Sequence, residues 1–336
     1  MIREAMLYEK LEGGLVHCFL CNHNCRIKPG HFGLCNVRKN SDGELKTLVY
    51  AEAIASGADP IEKKPLYHFL PGSLSYSIAT IGCNFKCAFC QNWQISQKSK
   101  KDPVQLPGRE LEPNAVVEKA LENNCQSISY TYTEPTIFFE YAYDTACLAK
   151  EKGLYNNFVT NGYMTKQALD KIAPCLDAAN VDLKSFSDNF YKKVCRGSLQ
   201  PVLDSISYMK KLGIWVEVTT LVVPGQNDSK EELSQIAEFI ASVDKKIPWH
   251  ISRFHPDYKD SDNKPTPLEV MERACAIGKK SGLAYVYLGN LAGESNTVCP
   301  KCGKKVIERS CFSTKRINIK EGKCVFCAQL IDGVFS

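Results

Sequence analysis

Cysteine is the residue whose number and spacing point most directly to chemistry. The chain has 17 cysteines in 336 residues, and eleven of them fall in three groups: Cys18, Cys21, Cys25 and Cys35; then Cys83, Cys87 and Cys90; then Cys299, Cys302, Cys324 and Cys327. Thiolates are soft ligands suited to zinc and to iron–sulfur centres. A closed structural site takes four protein ligands, whereas three leave a coordination position that an outside molecule can fill. Cys83-x3-Cys87-x2-Cys90 is therefore the candidate reactive centre, and the two four-cysteine groups are candidate closed sites.

In the first group four thiols lie within 18 residues, with Gly30 and Gly33 before the last. Their softness does not choose between zinc and a second iron–sulfur cluster; zinc is favoured, and His17, His23 and His31 are not needed as ligands. The last group forms two C-x2-C knuckles around a β-like insert (305–319), the pattern of a zinc ribbon. So small a module lacks a core and needs metal to fold. Lys301, Lys304, Lys305, Arg309, Lys315, Arg316, Lys320 and Lys323 make it basic, which is compatible with nucleic-acid binding, although capping the main domain or docking a protein fits equally. Cys125, Cys147, Cys175, Cys195, Cys275 and Cys311 are scattered and read as small core hydrophobes.

The elements that must position these groups follow from periodicity. Segments 75–82, 126–133, 155–160, 177–184, 214–223, 249–254 and 284–288 are short, aromatic or β-branched, and bounded by turn residues, so they read as strands. Between them, 114–123, 137–152, 166–175, 201–212, 230–243 and 268–280 carry apolar residues at helical spacing. Asp228-Ser229 and Thr266-Pro267 supply cap signals for the last two. This alternation predicts a parallel sheet, open or curled toward a barrel, with its site at the C-terminal ends of the strands. The cysteine loop leaves the first strand at that end.

Composition bounds the rest. Hydrophobic residues make up 44% of the chain, charged residues 24%, and the net charge is only +5. This describes a packed globular protein with no electrostatic case for nucleic acid or membrane. The N-terminus lacks a signal-peptide pattern and no apolar run reaches bilayer length, so a soluble cytoplasmic protein is expected. In a reducing compartment the thiols serve metals rather than disulfides. The expected divisions are a Cys-rich region (1–72), the α/β core (73–292) and the ribbon (293–336).

The spacing of Cys83, Cys87 and Cys90, with aromatic Phe89 before the last, at the end of the first strand resembles the radical S-adenosylmethionine (SAM) superfamily. Across most of the chain the likeness is to the radical SAM members of the AmmeMemoRadiSam group, relatives of the pyruvate formate-lyase activating enzymes. It rests on the early cysteines, Asp59 to Phe69, Cys83 to Trp93, Tyr130 to Pro135, His250 to Tyr258 and the ribbon. The resemblance implies a partial (βα)6-type TIM barrel in which Cys83, Cys87 and Cys90 hold a [4Fe-4S] cluster. One electron then cleaves SAM to methionine and a 5′-deoxyadenosyl radical, which abstracts hydrogen from a protein or small molecule. It also implies an electron donor such as flavodoxin or ferredoxin, and a Memo-like or AMMECR-like partner.

Carried onto this sequence, the likeness assigns SAM contacts to several strand ends. Thr131-Tyr132-Thr133-Glu134-Pro135 stands where the activating enzymes commonly have Gly-Gly-Glu-Pro. Glu134 is then an acceptor for the SAM ammonium, while Tyr132 and Thr133 replace the glycines and Thr133 is left as a polar contact. Asn161 is assigned to the ribose. Asp182 and Lys184, two apart and so on one face of a strand, are assigned to the methionyl group as charges in an otherwise apolar interior. Val222 is assigned to adenine, and Arg253 and His255 to the carboxylate or the substrate. Against this enzyme stands a sensory or nucleic-acid-binding metalloprotein, which would not require acids and bases at successive strand ends.

Overall fold

A computed structural model of the chain describes residues 1–102 and 108–335. All seven expected strands form: β2 (Leu74–Ala79), β3 (Ser127–Tyr130), β4 (Tyr155–Thr160), β5 (Ala178–Asp182), β6 (Trp215–Val222), β7 (Trp249–Arg253) and β8 (Val286–Gly289). They lie side by side in sequence order and pair in parallel. An eighth strand, β1 (Ala55–Pro60), adds antiparallel to β2 at the edge. Its sequence, Ala-Ser-Gly-Ala-Asp-Pro, has no β-branched or aromatic residue, and only pairing with β2 makes it a strand.

The helices between the strands are α1 (Pro113–Glu122), α2 (Phe139–Glu151), α3 (Lys166–Ile172), α4 (Gln200–Lys211), α5 (Lys230–Val243) and α6 (Leu268–Lys280). Strand order never reverses, so right-handed crossovers put these helices on one face and leave the other as an inner face. Ser229 caps α5, its hydroxyl accepting from Glu232 N–H. The cap expected at Thr266 does not form. Pro267 occupies the N-cap of α6, and the Thr266 hydroxyl accepts from Phe254 N–H at 2.9 Å and lies 2.6 Å from the Val222 carbonyl, joining β6 to the chain after β7.

The inner face is polar, contrary to the apolar interior expected around Asp182 and Lys184. Buried Ser75, Ser129 and Asn157 form a ladder, Ser75 Oγ lying 2.5 Å from Ser129 Oγ and Ser129 donating to Asn157 Oδ1 at 2.7 Å. Thr219 donates to Asn180 Oδ1 at 2.8 Å. Deeper in, both oxygens of buried Glu217 are occupied, by the N–H groups of Tyr67 and His68, the Trp215 indole and His250 Nε2. These buried polar groups find partners on neighbouring strands or on the segment 65–68, which is what makes such an interior tolerable.

The first fifty residues form small antiparallel sheets, Tyr8–Lys10 with Val16–Cys18 and Cys25–Ile27, and Arg3–Glu4 with Arg38–Ser41 and Glu44–Thr47. Val16, Leu20, Ile27, Val37 and Leu45 join the apolar cluster of the main sheet and its helices. Buried Arg38 forms an ion pair with buried Glu140 on α2. At the other end Thr297–Val298, Lys305–Ser310 and Ser313–Ile317 form a three-stranded antiparallel sheet. Arg309, counted above among the basic residues of the ribbon, is buried: it donates to the Tyr67 carbonyl at 2.5 Å and to Thr297 Oγ1 at 2.8 Å, and stacks over the Tyr67 ring at 4.5 Å. It anchors the C-terminal segment, while Lys301, Lys304, Lys305, Lys315, Arg316, Lys320 and Lys323 remain exposed. Among the described residues no helix is long and apolar enough to cross a membrane.

Candidate active site and metal centres

A cavity of about 310 Å³ opens at the C-terminal ends of the parallel strands. Cys83, Cys87 and Cys90 line it, together with Phe89, Thr133, Glu134, Asn161, Asp182 and Lys184. The polar set converges because the wall is built from residues at or just past the C-terminal ends of successive strands: Thr131 to Glu134, Val159 to Asn161, Asp182 and Lys184, Thr219 and Leu221, and Ser252, with alternation choosing the wall positions along β6 and β7. The same alternation turns Val222 and Arg253 away. Val222 is buried toward the helices, and Arg253 Nε donates to the Thr266 carbonyl at 2.8 Å. Leu221 and Ser252 take their places on the wall. His255 also lies off it, against Gln91 at 2.9 Å, within a segment that packs on the cysteine loop through Lys259 N–H to Ala88 O (3.1 Å) and Trp93 Nε1 to Asp257 Oδ1 (3.0 Å).

Several of the strand-end residues are already occupied by the chain itself. Glu134 Oε1 accepts from Thr136 N–H (3.1 Å), Thr136 Oγ1 (2.6 Å) and Thr160 Oγ1 (2.7 Å), and Oε2 accepts from Asn161 N–H (2.8 Å). The carboxylate thus caps the short helix after β3 and latches it to the end of β4. Burial pushes its pKa up against these four bonds. Asn161 Nδ2 donates to Asn84 Oδ1 at 2.7 Å, and its Oδ1 accepts from Tyr163 N–H at 3.1 Å, so its amide steadies the cysteine loop. Thr133 donates to the Thr80 carbonyl at 2.8 Å.

Lys184 Nζ donates to Asp182 Oδ2 at 2.7 Å. Burial acts to lower the Lys184 pKa, but Asp182 and the neighbouring Cys87 and Cys195 outweigh it and hold the ammonium charged. The pair uses one carboxylate oxygen and one of three ammonium protons, leaving the remainder facing the cavity.

Tyr132, at a position where the resemblance implies glycine, has a left-handed backbone, with φ of 64°. A bulky residue holds that conformation only where its surroundings over-determine it. The surroundings are residues 59–64 and Asn92: the Tyr132 hydroxyl donates to Asp59, Lys64 Nζ lies 4.5 Å from the ring centre and 2.7 Å from Asp59 Oδ2, and Asn92 Nδ2 donates to the Tyr132 carbonyl at 2.9 Å. Burial lowers the Lys64 pKa to about 8 despite Asp59, whose own pKa lies well below the usual carboxylate range because Lys63, Lys64 and Tyr132 outweigh its burial. Asp59, Lys64 and Tyr132 were missed as a unit. The available signal was the run Asp59 to Pro65, which lies just before the first parallel strand.

The three central thiols are soft donors at one end of this cavity. Phe85 N–H donates to Cys83 Sγ at 3.3 Å, and Cys90 Sγ lies 3.0 Å from Ser96 Oγ. Burial pushes the Cys83 and Cys90 thiols up, and a hydrogen bond with Cys195 together with burial does the same for Cys87. A metal centre would have to displace those protons. Cys195 is fully buried and is not part of the cavity wall. The set therefore stays three-sided toward the cavity, and it fits a cluster with one open position.

A family model described as the radical SAM superfamily matches residues 77–240, which include the three cysteines and the ends of β2 to β6. A Methanocaldococcus jannaschii protein provisionally named a glycyl-radical enzyme activating enzyme is 30% identical over 69% of this chain and 85% of its own. The chain belongs to the radical SAM superfamily. An uncharacterized protein of the same organism is 47% identical over 98% of this chain and 99% of its own. The pyruvate formate-lyase-activating enzyme of Clostridium pasteurianum is 22% identical, covering 57% and 82%. The crystal structure of a radical SAM methyltransferase from Sphaerobacter thermophilus has a TM-score of 0.52 at 16% identity, covering 66% of this chain and 67% of that one, and so shares the fold.

The other cysteine groups of this radical SAM protein differ in geometry. The thiols of Cys299, Cys302, Cys324 and Cys327 all lie within 4.8 Å of one another, with Cys299 to Cys327 at 3.6 Å and Cys302 to Cys324 at 3.8 Å. Four thiolates around one zinc stand about 3.8 Å apart, given Zn–S bonds near 2.3 Å. Against the cost of burial, the N–H groups of Cys302 and Lys301 draw the Cys299 thiol down to about 7. Cys18, Cys21, Cys25 and Cys35 line a second, closed cavity together with His23 and Arg38.

Proposed function

We propose that this protein is a radical SAM enzyme of the activating-enzyme type, acting on a protein or small-molecule substrate, with a [4Fe-4S] cluster on Cys83, Cys87 and Cys90. The observation that carries this reading is the convergence of three thiols and the inward residues of successive strand ends on one cavity. When bound, the cluster and SAM supply a 5′-deoxyadenosyl radical by one-electron cleavage, with methionine as the other product. A sensory or nucleic-acid-binding protein has no need of a 310 Å³ chamber beyond its cysteines.

In this reading the chain's residues bind, orient and shield. The second oxygen of Asp182 and the unused ammonium protons of Lys184 serve the zwitterionic end of SAM. Glu134 and Asn161 hold the cysteine loop against the ends of β3 and β4. Leu221 replaces Val222 as the apolar wall for adenine. The segment after β7, packed over the loop through Trp93 and Ala88, limits access of water and oxygen. The sheet is read as a partial barrel, residues 73–292 as the catalytic core, and 293–336 as a zinc-bearing ribbon anchored through Arg309. Electrons come from a flavodoxin- or ferredoxin-class donor.

The test is anaerobic loading with iron and sulfide, reduction, and measurement of 5′-deoxyadenosine and methionine from SAM. The expected result is both products in equal amounts from the parent and none from Cys87→Ala. An intact central cluster that leaves SAM uncleaved, or a Cys87→Ala variant as active as the parent, would overturn the reading.

A further inference from the structure

We infer that Cys18, Cys21, Cys25 and Cys35 hold an iron–sulfur cluster and not zinc. The chain contains its own comparison. Where four thiols are arranged for a single ion, at the C-terminal knuckles, they close to within 4.8 Å. Among the described residues no other set of three or more His, Cys, Asp or Glu side chains is drawn together in this way, and the N-terminal four are all described.

Yet these four belong to one site. All of them line the same closed cavity, with Leu20, Ile27 and Ile137 as its apolar walls. A Cβ placed on Gly33 would stand 3.9 Å from both Cys25 Sγ and Cys35 Sγ, so these two sulfurs flank a point where the chain carries no side chain. The cavity that the four thiols line has room of about 10 Å³, close to that of one water. A single zinc ion leaves no such gap between its sulfurs. Thiolates bound to the separate irons of a cluster stand at its corners, so they surround a space instead of meeting at a point.

The surroundings suit a buried anionic cluster of sulfur ligands. Arg38 Nη1 donates to Cys18 Sγ at 3.3 Å from within the core. Backbone N–H groups of Leu34 and Val37 are directed at Cys25 and Cys35. The nearby histidines are committed elsewhere: His17 Nδ1 to Glu9, His31 Nδ1 to the Pro29 carbonyl, and His23 Nε2 to the Asn84 carbonyl at 2.9 Å. The last of these contacts sets the N-terminal site directly against the central loop. Gly82 adds to this seam, since a Cβ there would meet Val37 Cγ1 at 2.9 Å and the Cys35 carbonyl at 3.5 Å. The inference does not depend on SAM cleavage.

The test uses the full chain carrying Cys83→Ala, Cys87→Ala and Cys90→Ala, loaded anaerobically with iron, sulfide and zinc together. The expected result is roughly two to four iron ions with matching sulfide, an iron–sulfur Mössbauer signature, and one zinc per chain. Adding Cys21→Ala and Cys25→Ala should remove the iron and leave the zinc. Two zinc ions per chain, or no iron in the triple variant, would overturn the inference. Because the variants risk misfolding, the parent is measured alongside: zinc near one per chain and iron about twice what three central cysteines can hold supports the inference, and zinc near two with iron for one cluster refutes it.

Discussion

Glu134→Gln separates a carboxylate that serves the ligand from one that serves the fold. Glu134 accepts four hydrogen bonds, three at Oε1 and one at Oε2. Glutamine keeps one oxygen, which the three donors from Thr136 and Thr160 will claim. Its amide nitrogen is then turned on the Asn161 N–H, a donor facing a donor at 2.8 Å. Losing that bond and burying an unsatisfied N–H costs about 1–3 kcal/mol. Burial already raises the Glu134 pKa, so removing the charge relieves desolvation and the cost stays near the lower half of that range. The variant should therefore melt about 2–6 °C below the parent as metal-free protein without SAM, for a core of this size. Hydrogen exchange at Asn161 and Tyr163 should quicken, since Asn161 is the residue released. An unchanged metal-free melting point together with weakened SAM binding would refute this and restore Glu134 to the role of ammonium acceptor.

Three further outcomes are expected. Burial holds the His68 pKa down to about 4, its ring nitrogens lying 2.6 Å from the Asp332 carbonyl and from Tyr287 Oη. A neutral histidine that must charge on acidification contributes about 3 kcal/mol that is present above pH 6.5 and lost as pH falls toward 4, so His68→Gln should flatten the stability profile over that window; an unchanged slope refutes it. Cys195→Ala should leave iron content and 5′-deoxyadenosine yield at parental levels, because Cys195 lies beside Cys87 but off the cavity wall, whereas loss of the central iron would make it a fourth ligand. Arg309→Met strands buried Glu62 and should cost about 3–5 kcal/mol, seen as proteolysis of 293–336 at protease levels that leave the parent intact; equal resistance would show that the anchor is elsewhere.

Strand and helix placement was legible because each parallel strand is a short β-branched or aromatic run and each helix repeats its apolar residues at helical spacing. Lys230–Val243 and Leu268–Lys280 occur with the bounds expected from that spacing. Residues 55–60 were illegible because nothing in Ala-Ser-Gly-Ala-Asp-Pro favours a strand apart from the neighbour it pairs with. Alternation could have corrected the assignment of Val222 and Arg253. Counting back by twos from a wall residue on the same strand gives Leu221 and Thr219, and Ser252 and His250, so the neighbouring positions face the helices. The buried role of Arg309 was beyond reach, since its partners Tyr67 and Glu62 lie more than two hundred residues away.

The deeper difference between pattern and structure lies in how the polar atoms are used. Sequence shows that Glu134, Asn161, Asp182 and Lys184 stand at strand ends, but it does not show which of their donors and acceptors the chain has already taken. Glu134 and the Asn161 amide are largely committed to holding the cysteine loop, and Asp182 and Lys184 are half committed to each other. Tyr132 makes the same point from the backbone: the left-handed turn that glycine would give freely is kept here by Asp59 and Lys64, contributed from outside the strand-end motifs. A binding wall in this fold is thus a second layer laid on a frame that the chain has already hydrogen-bonded. Substitutions in the frame should alter stability before a ligand is present, whereas those at the free half of the Asp182–Lys184 pair should register mainly once SAM is bound.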